Sequence, residues 1–117
     1  MPQDTFKACI EACYACAAAC DRCSTACLQE DDVKMMARCI ALDMDCADIC
    51  RTAAAFMARN GNGDGDTGSA VAICRLCAEL CTACAAECGR HTMDHCQACA
   101  AACRHCAEEC RLVVDAA

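Results

Sequence analysis

Cysteine is the residue here that can do chemistry, and it is laid out in ladders. Nineteen of the 117 positions carry it. The stretch CIEACYACAAACDRCSTAC (residues 9–27) places Cys9, Cys13, Cys16, Cys20, Cys23 and Cys27 at alternating steps of 4 and 3. Cys74, Cys77, Cys81, Cys84 and Cys88 repeat that stepping, as do Cys96, Cys99, Cys103, Cys106 and Cys110. Cys39, Cys46 and Cys50 step by 7 and 4. A thiolate is a nucleophile, a redox partner and a soft-metal ligand. One or two such residues are adequately explained as small hydrophobes in a core, but nineteen on a fixed period are not. The number is odd, so full disulfide pairing would leave one cysteine over.

Among metals, thiolate favours Cu(I), Zn(II) and iron–sulfur clusters. The compact loop run of bacterial iron–sulfur sites, C-x2-C-x2-C-x3-C-P, is absent. Structural zinc draws four ligands from turns rather than from a continuous stripe. Cu(I) accepts two or three thiolates, and each thiolate can bridge two ions, so a stripe would hold about one copper per cysteine. Charge agrees. Each Cu(I) that binds displaces one thiol proton and leaves the core near neutral. Zinc on four separate thiolates leaves a double negative charge at each site, costly to bury many times over.

Alternating 3 and 4 averages about 3.5, the heptad period, so each ladder is one stripe of a helix. Residues at i and i+4 have Cβ atoms ~5–6 Å apart, close enough for two sulfurs to share an ion. The intervening residues include many good helix formers such as Ala, Glu, Arg and Leu, and no proline follows Pro2. The predicted helices are about 4–28, 32–59, 69–89 and 92–114. Asp31 or Asp32 is the expected cap of the second, Thr67 or Ser69 of the third and Thr92 of the fourth, with Asp94 in the fourth's first turn and Gly89 as the third's stop. The connections predict antiparallel neighbours, hence a single domain over 1–117: an all-α, up-down-up-down four-helix bundle with a cysteine-lined core. The alanine triplets at 17–19 and 100–102 let helices approach closely. Ile10, Ile40, Ile73, Leu76 and Leu80 fall off the stripe, either sealing seams or meeting another subunit. The glycine-rich stretch 60–69 matches the early positions of a calcium loop at Asn60, Asn62, Asp64, Gly65 and Asp66, but its twelfth position is Val71 rather than Glu, so it is read as a linker.

The bulk composition narrows the function. There is no Trp, one Tyr and two Phe, too little for a conventional aromatic and aliphatic core. The formal charge of −7 and the lack of a basic block argue against a nucleic-acid partner. No apolar run approaches the ~20 residues of a membrane span, so no membrane role is expected. MPQDTFKAC at the N-terminus has neither a basic, apolar signal pattern nor twin arginines, which predicts a cytoplasmic protein if Met1 is the native start. A reducing cytoplasm keeps thiols free for metal.

These CxxxC and CxxC steps along four helices resemble the bacterial copper storage proteins, and the resemblance spans essentially the whole chain. It implies a cysteine-lined bundle holding multiple Cu(I) ions, no catalysis, and the cytosolic class with its homotetramer. A copper chaperone or a small-molecule copper carrier is the implied kind of delivery partner. The alternatives are a general sponge for soft metals such as zinc, cadmium or silver, and a thiol redox buffer. An enzyme is not expected, because nothing singles out one Cys–His pair with an orienting third residue.

The expected metal ligands are the nineteen cysteines together with His91, His95, Met36 and Asp43. In an up-down bundle the loops at 28–34 and 89–95 share one end, a mouth where His91, His95, Met35, Met36 and Met93 gather. Copper is expected to enter there and pass to Cys27, Cys39, Cys88 and Cys96. For the histidines, capping of helix carbonyls is the competing role; for Met36 it is packing. His105 falls off the stripe. The opposite end offers Phe6, Phe56, Met57, Val71, Val113 and Val114 as an apolar plug. The second helix's stripe runs Met36, Cys39, Asp43, Cys46, Cys50, Ala53, Met57, with Asp43 where a cysteine would complete the ladder. Asp43 is expected to accept a hydrogen bond, pair with an arginine or touch copper, unless local rotation turns it outward.

Overall fold

The thiol ladders become the inner faces of four long helices in the computed structural model, which describes residues 3–60 and 67–117. They are α1 (Gln3–Cys27), α2 (Ala37–Asn60), α3 (Gly68–Gly89) and α4 (Asp94–Ala116). Each packs on two neighbours, in the ring order α1–α2–α3–α4 and back to α1, and the bundle measures 51 × 18 × 17 Å. Successive helices are antiparallel, as expected, and no strand occurs among the described residues.

Helix ends explain the departures from expectation. The second helix does not run unbroken from residue 32. Asp32 accepts a hydrogen bond from the Met35 backbone N–H and starts a tight 3-10 turn, Val33–Met36, before the α-helix begins at Ala37. That turn swings Met36 into the core while Met35 stays exposed. Thr67 is the cap residue of α3, but its side chain makes no capping bond. Thr92 is not the cap of α4. Met93 holds that place with an extended backbone and no side-chain cap. The α3–α4 corner is instead tied by Gln97, whose Nε2 donates to the carbonyls of Gly89 (3.2 Å) and His91 (2.6 Å). Asp94 lies in the first turn of α4, where a negative charge suits the helix dipole. The calcium-loop comparison falls largely on residues 61–66, outside the described residues.

The core is sulfur and alanine. All nineteen cysteines are fully buried, alongside Ala47, Ala53, Ala54, Ala70 and Ala100. The small alanine side chains keep the helices close enough for thiols of different helices to meet. Ile10, Ile40 and Ile73 pack against this core as seam residues, whereas Leu76 is 45% exposed. By length and mean hydropathy (1.5) α3 alone among the described helices is apolar enough to cross a membrane, although Arg75, Glu79 and Glu87 interrupt its apolar run. Its apolar character comes chiefly from alanine, cysteine and a few aliphatic residues, and its cysteine stripe is spent on the bundle interior.

Candidate metal centre

The bundle stacks its sulfurs in layers, each helix offering roughly one seat per layer. At one end Cys9 of α1 faces Cys110 of α4 at 3.6 Å, and Cys74 of α3 faces Met57 of α2 at 3.5 Å. Above them Cys13, Cys50, Cys77 and Cys106 place four sulfurs within 4.8 Å of one another. The centre follows with Cys16, Cys20, Cys46, Cys81 and Cys103, including contacts of 3.4 Å between Cys46 and Cys81 and 3.6 Å between Cys16 and Cys103. Next come Cys84 and Cys99 on Asp43, with Cys99 also 3.6 Å from Cys20, and then Cys23, Cys27, Cys39, Cys88 and Cys96 towards the mouth. No two sulfurs are bonded; every cysteine is a free thiol.

These spacings suit shared soft metal. An ion with ~2.3 Å metal–sulfur bonds in a trigonal plane separates its ligands by ~4.0 Å. The interhelical Sγ–Sγ contacts run from 3.1 Å (Cys39–Cys88) to 4.0 Å (Cys27–Cys96), and i, i+4 pairs such as Cys23–Cys27 lie at 3.8 Å. Small side-chain rotations therefore suffice to seat ions between thiols. Burial raises the Cys27 thiol and pushes Cys96 up to about 11, whereas hydrogen bonds from Cys23 and Cys88 lower Cys39. A cation entering at Cys27 and Cys96 must therefore displace protons rather than meet ready thiolates.

Asp43 points inward, so the outward-rotation alternative is overturned. The carboxyl is fully buried. Its Oδ1 accepts from Cys99 (3.1 Å), Cys84 (3.2 Å) and Cys88 (3.4 Å), and its Oδ2 from Cys39 at 3.8 Å. Thiols, not an arginine, are its recorded partners. Burial, followed by the neighbouring Cys99, pushes this carboxyl up to about 10. The reason it faces inward is register: Asp43 lies four residues from Cys39 and three from Cys46, on one continuous stripe.

The two mouth histidines part company. His95, in the first turn of α4, turns Nδ1 onto the thiols of Cys23 (3.5 Å), Cys96 (3.5 Å) and Cys27 (3.9 Å). Its Nε2 is buried and makes no hydrogen bond. His91 instead meets Glu87 through Nε2 at 2.9 Å, and Glu87 also pairs with Arg38 and Arg90 at 3.5 Å each. His91 and Glu87 line a cavity of about 340 Å³ with Met35, Arg90, Thr92 and Met93. Met36 is fully buried on the α2 stripe, and His105 is exposed as expected. Glu87 is absent from the sequence-based expectations; its i, i+4 spacing to His91 is the signal that points to it. At the far end Phe6, Met57 and Val113 are buried, and Phe56, Val71 and Val114 pack against them, as expected for a plug.

Comparison with known proteins agrees with this geometry. A cysteine-rich protein of Bacillus subtilis (strain 168), YhjQ, is 50% identical over 90 residues, covering 77% of this chain and 78% of its own. A cytosolic copper storage protein from Streptomyces lividans, solved with five coppers, superposes with a TM-score of 0.92 at 40% identity, covering 97% of this chain and 94% of that one. The Cu(I)-bound copper storage protein BsCsp3 superposes with a TM-score of 0.84 at 47% identity, covering 94% and 98%. The family model for copper storage proteins matches residues 2–115. With its sulfur-lined bundle and these relatives, the chain belongs to the copper storage protein family.

Proposed function

We propose that this chain stores Cu(I) in the cytosol, bound as thiolate-bridged ions along the inside of the bundle. The observation that carries this reading is the continuous column of nineteen buried free thiols. The nineteen cysteines are the ligands proper. His95 joins the thiols of Cys23, Cys27 and Cys96 in a mixed nitrogen–sulfur cluster at the mouth. Met36 supplies a thioether at that end, and Asp43 an oxygen in the second turn of α2. His91 serves the entry path, held by Glu87 outside the thiol column. The reading assigns no catalytic residue.

The cytosolic description of the Streptomyces lividans relative supports the compartment. A homo-oligomer, a tetramer by resemblance, fits the exposed apolar side chains of Tyr14, Leu28, Met44, Leu76 and Leu112, each 45–57% exposed. A copper chaperone or small-molecule carrier would deliver copper at the mouth.

The deciding experiment is an anaerobic Cu(I) titration of the reduced protein against a coloured Cu(I) chelator. Storage predicts that about one copper per cysteine is withheld before the chelator colours. Saturation after one or two ions would leave the column as packing or redox chemistry.

A further inference from the structure

The α2 stripe ends on a thioether in a seat where its neighbours offer thiols. Met57 is fully buried, and its Sδ accepts from Cys74 Sγ at 3.5 Å. The facing thiols Cys9 and Cys110 lie 3.6 Å apart. Cys9, Cys74 and Cys110 each sit one helical turn beyond Cys13, Cys77 and Cys106 of the four-sulfur layer above, so both pairs belong to the column's final layer. Cys50 is the last cysteine of α2, and Ala53 contributes no ligand atom to the layer beyond it. Without Met57, α2 would add nothing to the column's final layer.

We infer that Met57 Sδ is a Cu(I) ligand, completing with Cys74, Cys9 and Cys110 a mixed thiolate–thioether site that closes the blind end. This inference rests on the storage reading above. Methionine commonly serves as a gap-filler, but here the sulfur itself meets a thiol, at the separation found between cysteine pairs that can share an ion. The rest of this end is hydrocarbon, with Phe6, Ala70 and Val113 buried beside it. A leucine would fill the same volume without offering a lone pair.

Charge gives the thioether a reason. With a cysteine in place of Met57, one Cu(I) on four thiolates would carry a net charge of −3. On the three thiolates and the neutral thioether it carries −2. Burying the smaller charge costs less, most of all at the end away from the mouth. Met57 also binds without losing a proton, so each proton released on filling this site comes from a cysteine. A thioether is a soft ligand that favours Cu(I) over harder divalent ions.

The test pairs two measurements on the full chain. Crystals of the wild-type protein loaded anaerobically with Cu(I) would be examined by anomalous diffraction at the copper edge. The expected result is a copper bonded to both Met57 Sδ and Cys74 Sγ. Met57→Leu, which keeps all nineteen thiols, would be titrated against the chelator, and it should withhold about one copper fewer or bind that copper at least about tenfold more weakly. Coppers on Cys9, Cys74 or Cys110 with none bonded to Sδ would overturn the inference, as would wild-type capacity and affinity in Met57→Leu. The wild-type crystals decide the matter if the variant folds poorly. A wild-type chain holding only one or two coppers would overturn the storage reading itself, a different failure from full loading with Met57 unbound.

Discussion

Asp43 Oδ1 and Cys99 Sγ meet at 3.1 Å across the bundle axis, joining α2 to α4, the helices that lie diagonally opposite. The same oxygen accepts from Cys84 and Cys88 of α3. With Cys39 of its own helix on Oδ2, this carboxyl collects thiols from three helices at a point where the α2 ladder lacks a cysteine. It lies between the mouth cluster around His95 and the all-sulfur layers below. An acid in that place must be neutral, or be compensated by a cation, and an empty column offers no cation.

Apo-protein stability should consequently fall as pH rises through the neutral range. Burial pushes the Asp43 carboxyl up to about 10, whereas an unfolded aspartate titrates near 3.9. The folded chain keeps a proton that the unfolded chain gives up. The stability contributed by that proton is complete below about pH 4 and is lost progressively as pH rises to about 10. At about 1.36 kcal/mol per pH unit, Asp43 accounts for up to about 4 kcal/mol between pH 5 and pH 8. Denaturant unfolding of the copper-free protein should show this slope, and Asp43→Asn, neutral at every pH, should flatten it. An unchanged slope in the variant would remove Asp43 as its source.

Copper capacity tests the same seat from the other side. Asp43→Cys completes the α2 ladder and should raise the chelator-resistant copper count by about one. Asp43→Ala leaves every thiol in place but removes the oxygen shared by Cys84, Cys88 and Cys99. It should weaken binding of the coppers nearest those residues while changing the total by no more than about one. Unchanged capacity and unchanged affinity in Asp43→Ala would exclude Asp43 from the ligand set.

The ladders made the bundle legible because a strict 3–4 step has one physical solution, a helical stripe facing a shared axis. The same period put Asp43 on the stripe between Cys39 and Cys46 but left open a local rotation outward, which the burial of its carboxyl among thiols settles. Other features were not legible because they depend on chain reversals and on charges from other helices. The Asp32-capped turn delayed α2 to Ala37, and Gln97 took over the corner where Thr92 was the expected cap. His91 and His95 looked equivalent in sequence. They separate in space because Glu87, one turn before His91, draws that imidazole away while His95 leans over Cys23 and Cys96. Met57 looked like part of an apolar plug because periodicity reports which face a side chain takes, not which atom on it makes the contact.

That separation predicts different phenotypes for the two histidines. His95→Ala deletes the nitrogen facing three mouth thiols and should lower the affinity of the mouth cluster by about tenfold or more, the equivalent of about 1.4 kcal/mol. His91→Ala removes a side chain engaged by Glu87 and should leave that affinity in place. Competition with the chelator at low copper loading, where the mouth sites report, measures both. Equal losses in the two variants would mean that His91 swings away from Glu87 to bind.

Loading should also make the bundle harder to unfold, because an ion that bridges helices is held more tightly by the folded column than by the scattered thiols of the unfolded chain. A single site with free ligand at a thousand times its Kd adds about 4.1 kcal/mol. A kilocalorie shifts the Tm of a domain of this size by roughly 4 °C. One bridging copper should therefore raise the Tm by up to about 16 °C, reduced by whatever copper the unfolded chain's own cysteines bind, with further rises as the column fills. Stripping the metal with excess chelator should return the Tm to the apo value. Calorimetry at stepwise copper additions reads the effect directly, and the dependence on step matters as much as its size. Copper bridging helices inside the column raises the Tm from the first additions. Copper held on the surface by exposed carboxylates and His105 would leave the Tm where it began, and the interior sulfurs would then not be the store.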